Sequence, residues 1–184
     1  MKTLFQKLIL PVALIIVFSV ATAQDKYQLT NSEVSFFSEA PLENIEANNK
    51  DTKGIIDSNA RNFSFRVPIK SFVFKKSLMQ EHFNENYMES GKFPNATFKG
   101  TIEGNFDLNK NDSYSVTATG ELEIHGVKQQ RTIPATIEVK DKIVKISSKF
   151  KVKLVDHNIE IPTIVFNKIA EEIEVSIQSD LVKM

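Results

Sequence analysis

From Val144 to Leu154 the chain reads VKISSKFKVKL, which places Val144, Ile146, Phe150, Val152 and Leu154 on one side and Lys145, Lys149, Lys151 and Lys153 on the other. A period of two over that length predicts an antiparallel strand with one wet face. The same alternation runs through Phe63, Phe65, Val67 and Ile69; through Phe98, Ile102 and Phe106; and through Tyr114, Val116, Leu122 and Ile124. It returns at Ile133, Ala135, Ile137 and Val139, and again at Ile173, Val175, Ile177 and Leu181. With Val34 and Phe36 near the start and a weaker run around Ile45 and Ile55, the pattern predicts about eight strands. Gly126, with Lys128 and the two glutamines after it, predicts one turn between strands, and Asn109 to Asp112 another. Pro68, Pro134 and Pro162 interrupt the pattern, so each should mark a bulge, a bend or an edge.

Long strands with a single apolar face close most simply into a barrel, which hides those faces and leaves no bare edge. A two-sheet sandwich is the competing arrangement. The inward positions are rich in phenylalanine, yet Gly100, Gly104, Gly120 and Ala118 fall on the same faces. Glycines there either let the strands coil or leave room for something other than a side chain.

One stretch, SLMQEHFNENYMESGKF from Ser77, breaks the alternation. Ser77 followed by Gln80 matches a capping box, so a helix should start at Leu78, and Gly91 is placed to end it. Met79, Phe83 and Tyr87 recur every fourth residue with Leu78 beside them, while Glu81, Asn84, Glu85 and Glu89 fall mostly on the wet side. An amphipathic helix of this kind would bury its stripe on the barrel wall or across an open end.

Candidate chemistry is sparse. His82 lies between carboxylates, but Glu81 is adjacent, Glu85 is three residues on and the zinc-binding HExxH spacing is absent, so a capping or hydrogen-bonding role is the reading. Asp156 and His157 are neighbours and would face opposite ways in a strand. The chain has no cysteine, no nucleophile elbow, no phosphate-binding loop and no dinucleotide fingerprint. No catalytic residue, metal or cofactor is therefore expected. An enzyme would require at least two of His82, His125, His157, Glu81 and Asp156 to converge.

The N-terminus is read apart from the rest. Lys2 and Lys7, the apolar run Leu8 to Val20 and the small residues Ala21-Thr22-Ala23 match a cleavable secretory leader, 1–23, followed by one domain over 24–184. The apolar run is shorter than a membrane span needs, so an exported, periplasmic or secreted protein that is not integral to a membrane is expected. Basic and acidic groups number 23 each over the whole chain, and losing Lys2 and Lys7 leaves a slight negative excess. That balance argues against nucleic acid as a partner, since phosphate binding needs a clustered positive field. It leaves room for a homodimer.

The run FSFRVPIKSFVFKKSLMQEHFNENYMESGKFPNATFKGTIEG, from Phe63, resembles the central signature of the YceI-like family. GELEIHGVKQQRTIPATIEV resembles that family's later hairpin, and KVKLVDHNIEIP its penultimate strand and turn. The resemblance spans nearly the whole of 24–184. It implies an extended, lipocalin-like antiparallel barrel with a tunnel for a long isoprenoid or fatty-acid-like chain. The expected walls are Phe63, Phe65, Phe98, Ile102, Phe106, Leu122, Phe150 and Val152. Phe72 and Phe74 join them, with the Leu78, Met79, Phe83 and Tyr87 face closing the tunnel. Two departures bear on the ligand's head group: His157-Asn158 stands where the family commonly has an aromatic-glycine pair, and the helix carries EHFNE. The alternative for every phenylalanine is an ordinary filled core, because small barrels are often plugged by their own side chains.

Overall fold

In a computed structural model, residues 25–162 and 169–184 are described; the expected leader lies outside them. The elements in chain order are β1 (Lys26–Ser38), β2 (Ile45–Asn49), β3 (Lys53–Asp57), β4 (Asn62–Pro68), β5 (Val73–Phe74), α1 (Ser77–His82), β6 (Asn95–Glu103), β7 (Asp112–Ile124), β8 (Val127–Lys140), β9 (Ile143–Lys153) and β10 (Glu172–Lys183). A π turn, Phe83–Tyr87, continues α1, and 3-10 turns occupy Ile69–Ser71 and Leu154–His157. The strands form one antiparallel sheet in the order β10-β9-β8-β7-β6-β4-β3-β1-β2-β5, and β10 also pairs with β1, closing a barrel. Eight strands make the closed ring, as the alternation predicted.

The two additional strands arise because two wall strands are broken. On β1, Val34 faces Asn49 of β2 and Gln28 faces Ile55 of β3, the same register without a slip, so β2 and β3 are halves of one strand. Across the break lies the bulge of β1 between Thr30 and Glu33, where Asn31 takes a left-handed φ of 46°. Asn49, fully buried, holds the break: its Nδ2 donates to the Pro68 carbonyl at 2.7 Å and its Oδ1 accepts from the Asp51 amide at 2.9 Å. Pro68 ends β4, and the 3-10 turn after it inserts extra chain before β5 resumes against β2. Pro134 marks a different interruption. The β8–β9 ladder runs from Lys140 and Ile143 to Ala135 and Ser148 and stops there, although β8 goes on to pair with β7 down to Val127. Pro162 lies in a loop outside the strands.

Both predicted turns are present. His125 and Gly126, with φ of 53° and 73°, make the two-residue turn between β7 and β8, a turn that requires left-handed residues. Gly100 and Gly120 face each other across β6 and β7 for a different reason. A Cβ on Gly100 would stand 2.0 Å from the Thr119 carbonyl oxygen and 2.6 Å from the Gly120 Cα. These glycines serve close backbone approach and strand coiling, not ligand space.

The helix forms where expected, with different ends. Lys76 stands at the N-cap without a side-chain cap bond, and Gln80 Oε1 accepts from the Phe74 amide at 3.3 Å instead of completing a capping box with Ser77. The turn Phe83–Tyr87 widens to π geometry, with the Met88 amide donating to the Phe83 carbonyl at 2.9 Å. Glu89, at φ 41°, provides the left-handed residue that follows the helix, in place of Gly91.

The interior divides in two along the barrel axis. One half is filled by Tyr27, Ile56, Phe63, Ile102, Val116, Ile133, Ile137 and Val144 with their neighbours, and Leu29 and Phe98 of the same cluster stand at the boundary. The other is lined by two smaller clusters, one around Val34, Phe36 and Phe72, the second around Ile69, Met88, Leu154 and Ile159. The start of β1 and the last residue meet at the filled half: the Met184 amide donates to the Lys26 carbonyl at 2.9 Å.

Candidate functional site

The less filled half of the barrel contains a cavity of about 440 Å³. Its walls come from the inward positions of nearly every strand, because a closed antiparallel sheet points alternate residues into one interior. Phe65, Phe98, Leu122, Phe150 and Val152 line it from the barrel wall, Phe72 and Phe74 from the broken edge, and Leu78, Met79, Phe83 and Tyr87 from the helix and its π turn. Phe63 and Ile102 are absent from the lining and sit in the filled half; Phe106 packs against that same cluster and is covered by the Arg61 guanidinium, 4.9 Å from the ring centre. Phe63 contacts Phe98 with ring centres 4.7 Å apart, which closes the route from the cavity toward it.

Sequence alternation identified which face of a strand points inward, but not how far along the axis a residue sits. It therefore missed Val34 and Phe36 of β1 and Ile173, Val175 and Ile177 of β10, all of which line the cavity. Their signal was the same period of two. The depth at which each strand crosses the cavity depends on register and shear, which the chain pattern does not carry.

Phe83 is the centre of the closure. Its ring lies 5.5 Å from Phe36 in a stacked arrangement, 5.5 Å from Phe72 edge-on and 5.0 Å from Phe74. These contacts dock the helix onto β1 and β5 through apolar and quadrupolar attraction. Leu78 also lines the cavity yet is 60% exposed, so it stands at the mouth. Glu43, Lys76 and His82 share that rim, and Lys76 Nζ meets Glu43 Oε1 at 2.6 Å. Ser38, Thr52 and Thr97 are the polar residues among the remaining walls.

His125 and His157 come together through a backbone carbonyl, not ring to ring. His125 places Nε2 2.8 Å from Glu89 Oε2 and Nδ1 3.1 Å from the His157 carbonyl oxygen, with Phe93 edge-on at 4.6 Å. It thus ties the end of the helix and the Leu154–His157 turn to the β7–β8 hairpin. The His157 ring is fully buried, and its Nδ1 lies 3.2 Å from the Val127 carbonyl, which assigns the proton to that nitrogen. Burial pushes this imidazole below its ordinary range, outweighing the opposite pull of the Val127 and Ile124 carbonyls. Asn158 takes a left-handed φ of 54°, the conformation that the glycine of the aromatic-glycine pair would supply. Asp156 offers its backbone carbonyl to Gln129 Nε2 at 2.8 Å. Among the described residues no three His, Asp or Glu side chains are grouped to hold a metal ion, and no helix is long and apolar enough to cross a membrane.

Solved structures share this architecture. A polyisoprenoid binding domain from Saccharophagus degradans implicated in plant cell wall breakdown is similar with a TM-score of 0.74 at 16% identity, over 86% of this chain and 98% of that one. BcnA from Burkholderia cenocepacia is similar at 0.67 and 19% identity, over 81% and 95%. The YCEI protein of Campylobacter jejuni gives 0.59 at 20% identity, over 79% and 88%. No curated protein matches the chain at a significant level. The family model of the YceI-like domain matches residues 26–181, almost the entire barrel, and the chain therefore belongs to the YceI-like family.

Proposed function

We propose that this protein binds a polyisoprenoid or another long apolar chain in the cavity, as a non-enzymatic carrier or buffer. The observation that carries the reading is the cavity itself: about 440 Å³ of space inside the barrel, walled by Phe, Ile, Leu, Val and Met and open at a rim holding Glu43, Lys76 and His82. Such a site binds by removing the chain from water, worth about 0.8 kcal/mol for each methylene buried, so about a dozen carbons supply on the order of 10 kcal/mol before the chain's ordering cost is subtracted. The polyisoprenoid binding domain from Saccharophagus degradans, with the same fold, supports a lipid as the class of ligand. A binding role without chemistry is supported by the histidines, of which His125 and His157 meet only through a backbone carbonyl. The leader-like residues 1–23 support a location outside the cytoplasm, in the periplasm or beyond.

The test is native mass spectrometry of residues 24–184 expressed with export in bacteria, followed by organic extraction. A stoichiometric long-chain adduct is expected. A mass that stays free of adduct, and remains so when challenged with isoprenoids and fatty acids, would refute the carrier reading.

A further inference from the structure

The cavity ends inside the barrel, and its end is built by one unusual pair. Gly54 of β3 faces inward and lies directly across from Phe65 of β4. A Cβ on Gly54 would stand 2.1 Å from Phe65 Cδ1 and 2.8 Å from Leu29 Cδ1. The phenylalanine ring therefore occupies the place a side chain at residue 54 would take, and Leu29 closes in beside it. Both Phe65 and Leu29 line the cavity, while Ile56 and Phe63, the next inward positions on the same two strands, do not. Those two are buried in the filled half, with Phe63 5.2 Å from Phe65 and 4.7 Å from Phe98 between ring centres.

We propose that Phe65, seated against Gly54, is the floor of the cavity and sets the length of chain the protein accepts. The inference rests on the chain-binding reading above and adds a gauge to it. A methylene takes up about the 30 Å³ that one water molecule has in the liquid, so the cavity has room for about 15 such groups. Affinity then rises about fourfold for each methylene added until the chain meets the floor. Further carbons remain at the rim beside Leu78 and His82, where they stay largely hydrated and add little. The glycine matters as much as the ring. Any side chain at residue 54 would push Phe65 toward the cavity, whereas loss of the ring would deepen it.

Dissociation constants for saturated fatty acids from octanoic to docosanoic acid, by displacement of a fluorescent fatty acid, would test this on residues 24–184. In the unaltered protein the constants should fall steeply with length and level off at a break. In Phe65→Ala the break should move to chains about three or more carbons longer, and in Gly54→Ala to shorter ones. Phe65→Leu, which keeps an apolar side chain, should move the break the same way as Phe65→Ala and serves in its place if the alanine variant does not fold. Tight binding with the same break in every folded variant would overturn the gauge and leave the carrier reading intact. If the unaltered protein binds neither this series nor isoprenoid alcohols of graded length, the carrier reading fails and the gauge with it; if it binds only the isoprenoids, the same break and the same shifts should be read on them.

Discussion

Gly100 and Gly120 show how a single methyl decides packing at the level of the residue. Their backbones meet so closely that a Cβ at Gly100 strikes the neighbouring strand's carbonyl, an atom that cannot turn aside. Gly100→Ala should therefore lose about 3 kcal/mol in urea unfolding, whereas Gly91→Ala, with nothing within 4 Å of the new methyl, should change stability by less than about 0.5 kcal/mol. The sequence showed both as glycines and could not rank them, since the difference lies in a cross-strand distance. His157 belongs to the same class. Its burial holds the imidazole below the ordinary value of about 6.5, so under that pH the unfolded chain takes up a proton that the folded one refuses. The residue's contribution is complete above the ordinary value and declines as pH falls through it toward the folded one. Thermal melts between pH 7.5 and about 5 should accordingly show a smaller acid-induced loss in His157→Gln than in the unaltered protein.

The helix was legible in its stripe and not in its ends. Met79, Phe83 and Tyr87 share the cavity-facing side as their spacing implied, yet the ends assigned from local pattern differ: Gln80 accepts from the Phe74 amide instead of closing a capping box, and Glu89, bonded to His125, takes the left-handed place assigned to Gly91. Phe83→Ala removes the ring that touches Phe36, Phe72 and Phe74, and it should cost about 3 kcal/mol in chemical denaturation. The seam between β8 and β9 was less legible still, with Pro134 its one sign in the sequence. Past that proline, side chains replace the backbone ladder. Ser148 Oγ donates to the Pro134 carbonyl at 2.7 Å, Arg131 Nη2 to the Lys151 carbonyl at 2.6 Å, and Gln129 to Asp156. Arg131→Ala should raise amide hydrogen exchange in residues 149–153 while leaving 135–140, inside the intact ladder, unchanged. Unchanged exchange in 149–153 in the variant would show that the arginine contact is incidental.

At the scale of the molecule, the closed barrel was the part most open to inference, because long strands with one apolar face have few ways to hide it. What composition could not divide is the interior, filled toward one pole and hollow toward the other. A ligand that enters the hollow half links its own binding to the folding of the whole: at a hundredfold excess over its dissociation constant it should add about 2.7 kcal/mol to unfolding, measured as a concentration-dependent rise in Tm. The two poles also differ in what the chain does there. Because the Met184 amide rests on the Lys26 carbonyl at the filled pole, residues 25–184 nearly form a ring in their connectivity as well as their shape. A short linker between residues 184 and 25, with new termini cut at the Asp141-Lys142 turn, should yield a circular permutant with the same barrel. A fusion partner or surface tether attached at residue 25 or at residue 184 would hang from the pole opposite the mouth, leaving the rim clear.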